Sequence, residues 1–393
     1  MAADSPVAQP STTSSAGTSV QYAGKTSGAF NVNNVGRRVA DPRNTLFIHH
    51  AANPVISGSN LYGANPVKAD GRWNVYFGGW LSQTTYDEIH LATSLDDTLA
   101  SGYSDIKTII GHGVYAHVND PSAVKREFGW VMAMTTATSV AADDHCSILT
   151  SPDGVNWPQL NDRSHEVNFI GASVPRCARP SLIWNANHKN GTGRWEMYFD
   201  ASVNGGPHGQ HLAVSSESVP KNFTYVARVG DFVDADIRLL NGQYIAAYRP
   251  TWVSDPVWRI HSATSTDGVR FADHGAMLGT HALQPFDDCG VTNPGWAINE
   301  KGLITSLMYG GTASCNYNAH KLGVAVPQAA ATLYSGSVAL VHRLALTATA
   351  QHIDTHEYTA VDRIQITDRP GASPRIDQPI AGTRGDAWSI VTP

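Results

Sequence analysis

One two-strand sentence recurs five times along this chain, and that repeat limits the fold more than any other feature. Its first copy, Gly63 to Trp80 (GANPVKADGRWNVYFGGW), holds a polar residue before proline, a short apolar run, a turn at Ala69-Asp70-Gly71 and a second run from Trp73 to Phe77. Further copies cover His117 to Thr136, Arg176 to Ser202, Phe232 to Thr251 and Gly290 to Gly311. Aligned on proline, with Ile237 in its place in the fourth copy, the anchors are Pro66, Pro121, Pro180, Ile237 and Pro294, spaced 55, 59, 57 and 57 residues apart. Self-similarity at a near-constant period means units that bury their apolar faces against one another. A period in the fifties suits a four-stranded blade with its loops, so the chain is predicted to be all-β: a five-bladed β-propeller with an axial pocket.

The rest of the chain is compatible with that reading. Charged residues make up 15% and hydrophobic residues 42% of 393, which suits a loop-rich β globule, and Gly 35 with Pro 21 supply its turns. The net charge of −6 comes with no basic stripe, so nucleic acid is excluded as a partner. No run of eighteen apolar residues exists, so no membrane span is expected. Residues 1–20 are rich in Ser, Thr, Ala and Pro, without the basic start and apolar centre of a signal peptide, and read as a flexible leader of the kind left after signal removal. The propeller is expected over residues 21–345 and C-terminal strands and loop over 346–393, packed on or closing the ring. Four cysteines suit two disulfides and a secreted or periplasmic protein, expected to be a monomer; four buried thiols are the alternative.

Taken in order, TLFIHHAA from Thr45 to Ala52 reads as a strand that closes the ring, with His49 and His50 sent to opposite faces and one of them facing the axis. Two turns read S-x-D-G-x-x-aromatic, at Ser151 to Trp157 and Ser265 to Phe271; Asp-Gly makes a tight turn under which the aromatic packs. LYSGSVALVHRLALTATA and YTAVDRIQIT, within 331–393, alternate like strands that complete blade five or form an added hairpin.

Inner strands of a propeller line its axis. The residues before each anchor, Asn65, Asp120, Arg179, Asp236 and Asn293, are therefore expected to meet at one mouth, with Asp234 and Ala178 one step behind. The turns between second and third strands open at the same end and carry Asp87, Glu88, His90, His145, His208, His211, Trp258 and His320; Trp80 adds a second aromatic. Such a funnel suits a polar, ring-shaped substrate; Trp80 and Trp258 either stack on a sugar face or pack in the core or rim.

The pattern over roughly residues 60–325 resembles the five-bladed glycosidase superfamily: glycoside hydrolase families 43, 62, 32 and 68, the arabinanase, invertase and levansucrase group. The resemblance implies a base or nucleophile Asp in blade one, a stabilising Asp before Pro in blade two and a general acid Glu in an E-x-P motif in blade three. Asn119-Asp120-Pro121 matches the second motif, so Asp120 resembles the stabilising carboxylate. Ala178-Arg179-Pro180 matches the third with Ala at the acid, and Asn65-Pro66 matches the first with an amide at the base. Glycoside cleavage needs a carboxylic acid and an opposed carboxylate, and neither a methyl nor an amide supplies one. Three readings stay open. Ala178 is a Glu→Ala substitution; or the acid and base have moved, with Asp236, Asp234, Glu88, Asp288 or Asp41 taking over; or the site binds sugar without cutting it.

Each residue also has a plainer role: Asp120 as a turn cap, Asp234 and Asp236 as backbone acceptors, Arg179 as a counter-ion, Glu88 as a solvated carboxylate. No metal or cofactor is expected for the chemistry, although an axial His50 or His320 suits a structural cation, as in some arabinanases. Cys289 at the start of the blade-five inner strand and Cys315 just past its neighbour are predicted to form a disulfide, with Cys146–Cys177 a second possibility.

Overall fold

Every repeat folds into an inner strand and its antiparallel partner, joined where the turn residues require. Asp70-Gly71 and Asn241-Gly242 each place two successive residues at positive φ, 53° and 76°, then 50° and 79°, which matches the twist of the strands they join. The computed structural model describes residues 10–12, 20–22, 46–82, 86–138, 143–188, 191–251, 258–281, 286–313 and 319–328. All regular elements among them are strands. Residues 39–327 form one unit, the propeller. In the other unit, Pro10–Thr12 pairs with Val20–Tyr22.

Blade one comprises Asn60–Ala69, Arg72–Trp80, Glu88–Ser94 and Ser104–Ile110, from the axis outward. Blade two has His117–Arg126, Gly129–Ala137 and Asp144–Ser151, with no fourth strand among the described residues. Blade three has Ala178–Asn185, Arg194–Ala201, Gly209–Ser215 and Asn222–Gly230, and Asn168–Ile170 from the preceding segment adds to its outer edge in parallel. Blade four has Phe232–Leu240, Gln243–Pro250, Ile260–Ser265 and Ala272–Leu278. Blade five has Gly290–Ile298, Ile304–Thr312, Lys321–Pro327 and, as its outer strand, Phe47–His49. The expected ring closure by the segment around TLFIHHAA is therefore observed. The strands expected in 331–393 lie outside the described residues.

Second strands are buried on both faces because blades stack face to face; all nine residues of Gly129–Ala137 are buried. The aromatic after each hairpin turn fills the same place in successive blades, Trp73, Trp130, Trp195 and Tyr244, all buried. Under the two S-x-D-G turns, Ser151 and Ser265 each accept the Gly N–H two residues past the proline or threonine, and Trp157 Nε1 donates to Gly154 O at 2.9 Å.

The closing strand is fixed by buried polar bonds. His49 Nδ1 lies 2.9 Å from Asp287 Oδ2, its Nε2 lies 2.8 Å from Gly279 O, and Asn53 exchanges backbone bonds with Val324. His49 and His50 thus sit at the rim of blade five and not at the axis, because the strand is the outermost of its sheet. Cys146 pairs with Cys177, tying the last strand of blade two to the start of blade three. Cys289 is disulfide-bonded as well, and its predicted partner Cys315 lies outside the described residues.

The inner strands share one irregularity. Each carries a register shift at the axis, between Tyr62 and Asn65, Asn119 and Ser122, Ala178 and Ser181, Val233 and Asp236, and Thr292 and Gly295. Within each bulge the first residue is left-handed: Gly63, Asp120, Arg179, Asp234 and Asn293, with φ of 63°, 48°, 49°, 54° and 46°. The structural anchors of blades one and four are therefore Ala64 and Ala235, two residues before Pro66 and Ile237. The residue two places after the left-handed one bonds the next blade. Asn65 Oδ1 accepts Ala123 N at 2.9 Å, Ser122 Oγ accepts Leu182 N at 2.9 Å, Ser181 Oγ accepts Ile237 N at 2.9 Å, and Asp236 Oδ2 accepts Trp296 N at 2.7 Å. Blade five has Gly295 there, where a Cβ would lie 2.0 Å from Ala64 O, so contact replaces the bond at the last seam.

These bonds predict a measurable seam energy. Ser181 also donates to Ile237 O at 3.0 Å, so Ser181→Ala leaves a buried N–H and C=O unpaired and costs about 1–3 kcal/mol. Urea unfolding would show a lowered midpoint at unchanged slope.

Candidate active site

The five left-handed residues converge because each bulge turns its side chain out of the sheet and onto the axis. Gly63, Asp120, Arg179, Asp234 and Asn293 line one cup with about 330 Å³ of open space. A second ring stands behind them, from the second strands: Gly78, Thr135, Asp200, Arg249 and Gly310, each opposite the residue that precedes a bulge. This outer ring bonds forward to the next blade. Thr135 Oγ1 accepts Arg179 N at 2.8 Å, and Asp200 Oδ2 accepts Asp234 N at 3.0 Å.

The charges are arranged unequally. Asp234 Oδ1 lies 2.6 Å from Arg179 Nε, and its Oδ2 takes Arg249 Nε at 2.6 Å and the Thr292 hydroxyl at 2.9 Å. Burial alone would raise its pKa; the Arg179 and Arg249 guanidiniums outweigh that and hold the carboxyl well below the usual range. Asp120 has weaker partners, the Thr135 hydroxyl at 3.2 Å and Asn293 Nδ2 at 3.5 Å. Burial pushes its carboxyl up, the Arg179 charge pulls it down, and the Asp234 charge pushes back, leaving a pKa of about 7. Asp200 is fully covered, and burial raises it also, against the pull of Arg179 at 3.5 Å. The Gln210 amide, oriented to donate, supports Asp200 Oδ1 at 2.7 Å.

The other predicted residues fall into two groups. Ala178 stands at the cup end of its strand, directly opposite Asp200, with a methyl where the resemblance expects an acid. Asn65 and Asp236 spend side-chain oxygens on the seams described above, and Asp236 Oδ1 lies 2.8 Å from Arg238 Nε. His208 stands at the mouth, within reach of the Arg179 and Asp234 charges; partial loss of hydration first, then Arg179, lowers its pKa. Trp258 receives the Arg249 guanidinium 4.6 Å from its ring centroid, and Trp80 is half-buried at the end of its strand. Glu88 is half-buried and takes a long bond, 3.4 Å, from Thr108.

His90 and His211 do not enter the cup. His90 is buried between Thr108 and Gly79 O, at 3.0 Å each, and His211 is buried beside the Tyr225 hydroxyl at 3.2 Å, where burial pushes its pKa down to about 4. His145 joins a rim network with Asp143 and Arg163. His320 is buried, 3.1 Å from Asn60 Oδ1 and edge-on to Tyr62. Among the described residues, no three His, Cys, Asp or Glu side chains converge on a metal position.

Sequence reasoning passed over Asp200, Arg249 and Thr135. Their signal was present: they occupy one repeat position, Asp200 after Met-Tyr-Phe, Arg249 after Ala-Ala-Tyr and Thr135 after Met-Ala-Met, which a second-strand alignment would have exposed.

The raised Asp120 pKa has a stability consequence with a definite sign. The folded state binds more protons than the unfolded chain between pH 4 and about 7, so Asp120 lowers stability as pH rises through that window. Asp120→Asn is expected to match the parent at pH 4 and exceed it by about 1–3 kcal/mol at pH 8, a range reduced because the carboxyl is partly open to water. Urea titrations at both pH values test this.

No family model and no curated protein matches the chain. Among solved structures, it is similar to a glycoside hydrolase from Bacteroides ovatus with 15% identity and a TM-score of 0.51, covering 76% of this chain and 100% of that one. The catalytic domain of a family-62 α-L-arabinofuranosidase from Coprinopsis cinerea gives 12% identity and a TM-score of 0.52, over 73% and 98%. An α-L-arabinofuranosidase from Lactobacillus brevis gives 12% and 0.51, over 70% and 92%. At these identities the likeness is one of fold: the chain has the five-bladed propeller of family-43 and family-62 glycoside hydrolases.

Proposed function

We propose that the axial cup binds a carbohydrate and cleaves a glycosidic bond, with Asp120 as proton donor to the leaving oxygen. The observation that carries this reading is a pair of aspartates in one cup held in opposite states. Asp120, with no cation in contact, has its carboxyl pKa raised to about 7, whereas Asp234 is held ionised between two guanidiniums. Environments that drive two carboxyls apart are how one site supplies an acid and a fixed negative charge together. In the family resemblance Asp120 stabilises the transition state and position 178 gives the proton. With a methyl at 178, the donor role passes to Asp120, and Asp234 provides the charge that favours an oxocarbenium-like state. The solved neighbours include α-L-arabinofuranosidases, so furanose-containing polysaccharides and oligosaccharides are the first substrates to try. The disulfides support an exported protein, which we take to act as a monomer.

A second reading, carbohydrate binding without cleavage, is favoured by the methyl at 178 and by the full engagement of Asp234.

Reducing-end release from pooled plant and bacterial polysaccharides separates the two. On the first reading the parent releases sugar and Asp120→Asn lowers kcat by about 10²–10⁴ with little change in KM. Affinity electrophoresis that shows retention on a polysaccharide without any release decides for the second. Release that appears only in Ala178→Glu would assign the proton to position 178 and remove it from Asp120.

A further inference from the structure

Resting on the cleavage reading, we propose that His117, held by the buried carboxylate of Asp87, is the base that activates the attacking water in the cup. Neither residue of this pair is used by the arrangement described so far. Asp87 lies in the turn between the second and third strands of blade one, at the mouth end, and its side chain is 4% exposed. His117 opens the inner strand of blade two and is 20% exposed.

Three features make the pair a working unit rather than a buried salt bridge. His117 Nδ1 hydrogen-bonds Asp87 Oδ2, which fixes the ring and leaves Nε2 without a protein hydrogen bond among the described residues. Asp87 is itself oriented, since Asn119 Nδ2 donates to Oδ2 at 3.3 Å and to the Tyr62 hydroxyl at 2.9 Å, and Val118 N donates to the Asp87 carbonyl at 3.2 Å. A base steadied by a third group that it bonds with its far nitrogen is the general arrangement for taking a proton from an attacking oxygen.

The pair also neighbours the acid. His117 precedes Asp120 by three residues on one strand, about 10 Å of extended chain, and the Asp87 charge is among those acting on Asp120. On this proposal the sugar ring and the water sit between the two, with the acid and the base on opposite sides of the bond. The carboxylates that the resemblance places at Asn65 and Ala178 are absent, so the pair supplies the missing function from a different blade edge.

The step balances without any further reagent. The oxygen of water bonds to the anomeric carbon while His117 Nε2 takes one of its protons. The bond to the glycosidic oxygen breaks, and that oxygen takes the proton of Asp120. One hydrogen of water ends on the new anomeric hydroxyl and one on the imidazolium, and exchange with solvent restores both groups. A single displacement inverts the anomeric centre.

The groups facing His117 are Asp87 and, across the sheet edge, Asp144, which is ion-paired with Arg176. The Asp87 hydrogen bond, the larger influence, raises the histidine pKa, and burial opposes it. Activity therefore rises with pH as His117 loses its proton and falls as Asp120 loses its own.

The test uses the full chain on two kinds of substrate: the polysaccharide that the parent cleaves, and 2,4-dinitrophenyl glycosides of arabinofuranose, xylose, glucose and galactose, whose leaving group departs unprotonated. His117→Asn is expected to lose about 100-fold or more on both, and Asp87→Asn about 10-fold with its acid limb moved to lower pH. Asp120→Asn is impaired far less on the aryl glycosides than on polysaccharide. The first product seen by proton NMR has the inverted anomeric configuration. If the parent cleaves but Asp87→Asn keeps its rate and its acid limb, or if configuration is retained, the base assignment is overturned and the role of Asp120 stands. If the parent cleaves neither substrate, the cleavage reading fails and this one with it. Asp87→Asn nearly preserves side-chain shape, so it decides the matter even where His117→Asn does not fold.

Discussion

A left-handed residue at one point of each inner strand governs the geometry of this propeller. For residues other than glycine that conformation costs about 1–2 kcal/mol, and here Asp, Arg, Asp and Asn all adopt it. The cost is met because the bulge accomplishes two tasks at once. It swings one side chain onto the axis, and it aims the residue two places on at a backbone N–H of the next blade. Arg179 is the most telling case, since aspartate and asparagine tolerate this region and arginine rarely does. In blade one the same place holds Gly63, where a Cβ would come within 2.9 Å of Asp120 Oδ1, so the gap beside Asp120 is as much a built feature as the charges are.

The electrostatics follow from that ring. Five equivalent positions carry nothing, a carboxyl, a guanidinium, a carboxyl and an amide in turn. Arg179 stands between Asp120 and Asp234 but binds only the second closely. Arg249 reinforces the same choice from behind. The result is one saturated ion pair and one carboxyl that feels the negative member of that pair without a cation of its own in contact. Low dielectric amplifies the difference, because burial penalises the ionised form most where no partner offsets it.

Sequence revealed the architecture because the two-strand unit must repeat wherever identical blades are packed: turn, aromatic and apolar run are demanded by local geometry. It placed Asp120, Arg179 and Asn293 correctly, where proline follows the left-handed residue. In blades one and four it is off by two residues, since Pro66 and Ile237 lie two places past the structural anchors Ala64 and Ala235. After the left-handed residue blades one and four carry Ala64 and Ala235 where the other three carry proline. Two roles meet there: Asn65 and Asp236 line the cup as expected but spend their side chains on the seams, while Gly63 and Asp234 hold the left-handed positions. Asp87 was visible as a mouth residue, but its partner His117 was not, because their meeting depends on two blades coming side by side. The pairing of Cys146 with Cys177 was legible only as a second possibility, because it crosses between sheets whose separation no spacing in one strand conveys.

Scaffold and chemistry are carried by neighbouring but separate positions, and this explains how so familiar a shape can hold so altered a site. The seam residue is required to present an acceptor to the next blade, and Asn, Ser, Ser and Asp all do so. The cup residue is required only to accept a positive φ, so its side chain is free to change. A propeller can thus hold Gly63 in that ring, and a methyl at 178 just before it, without breaking a seam bond. It cannot as readily lose Arg179 or Asp234, because each is the principal counter-charge of the other in a place with little water. Whatever proton Asp120 carries is therefore set by a pair of residues it hardly touches, and the acid of the cup is tuned by keeping its neighbours satisfied rather than by contacts of its own.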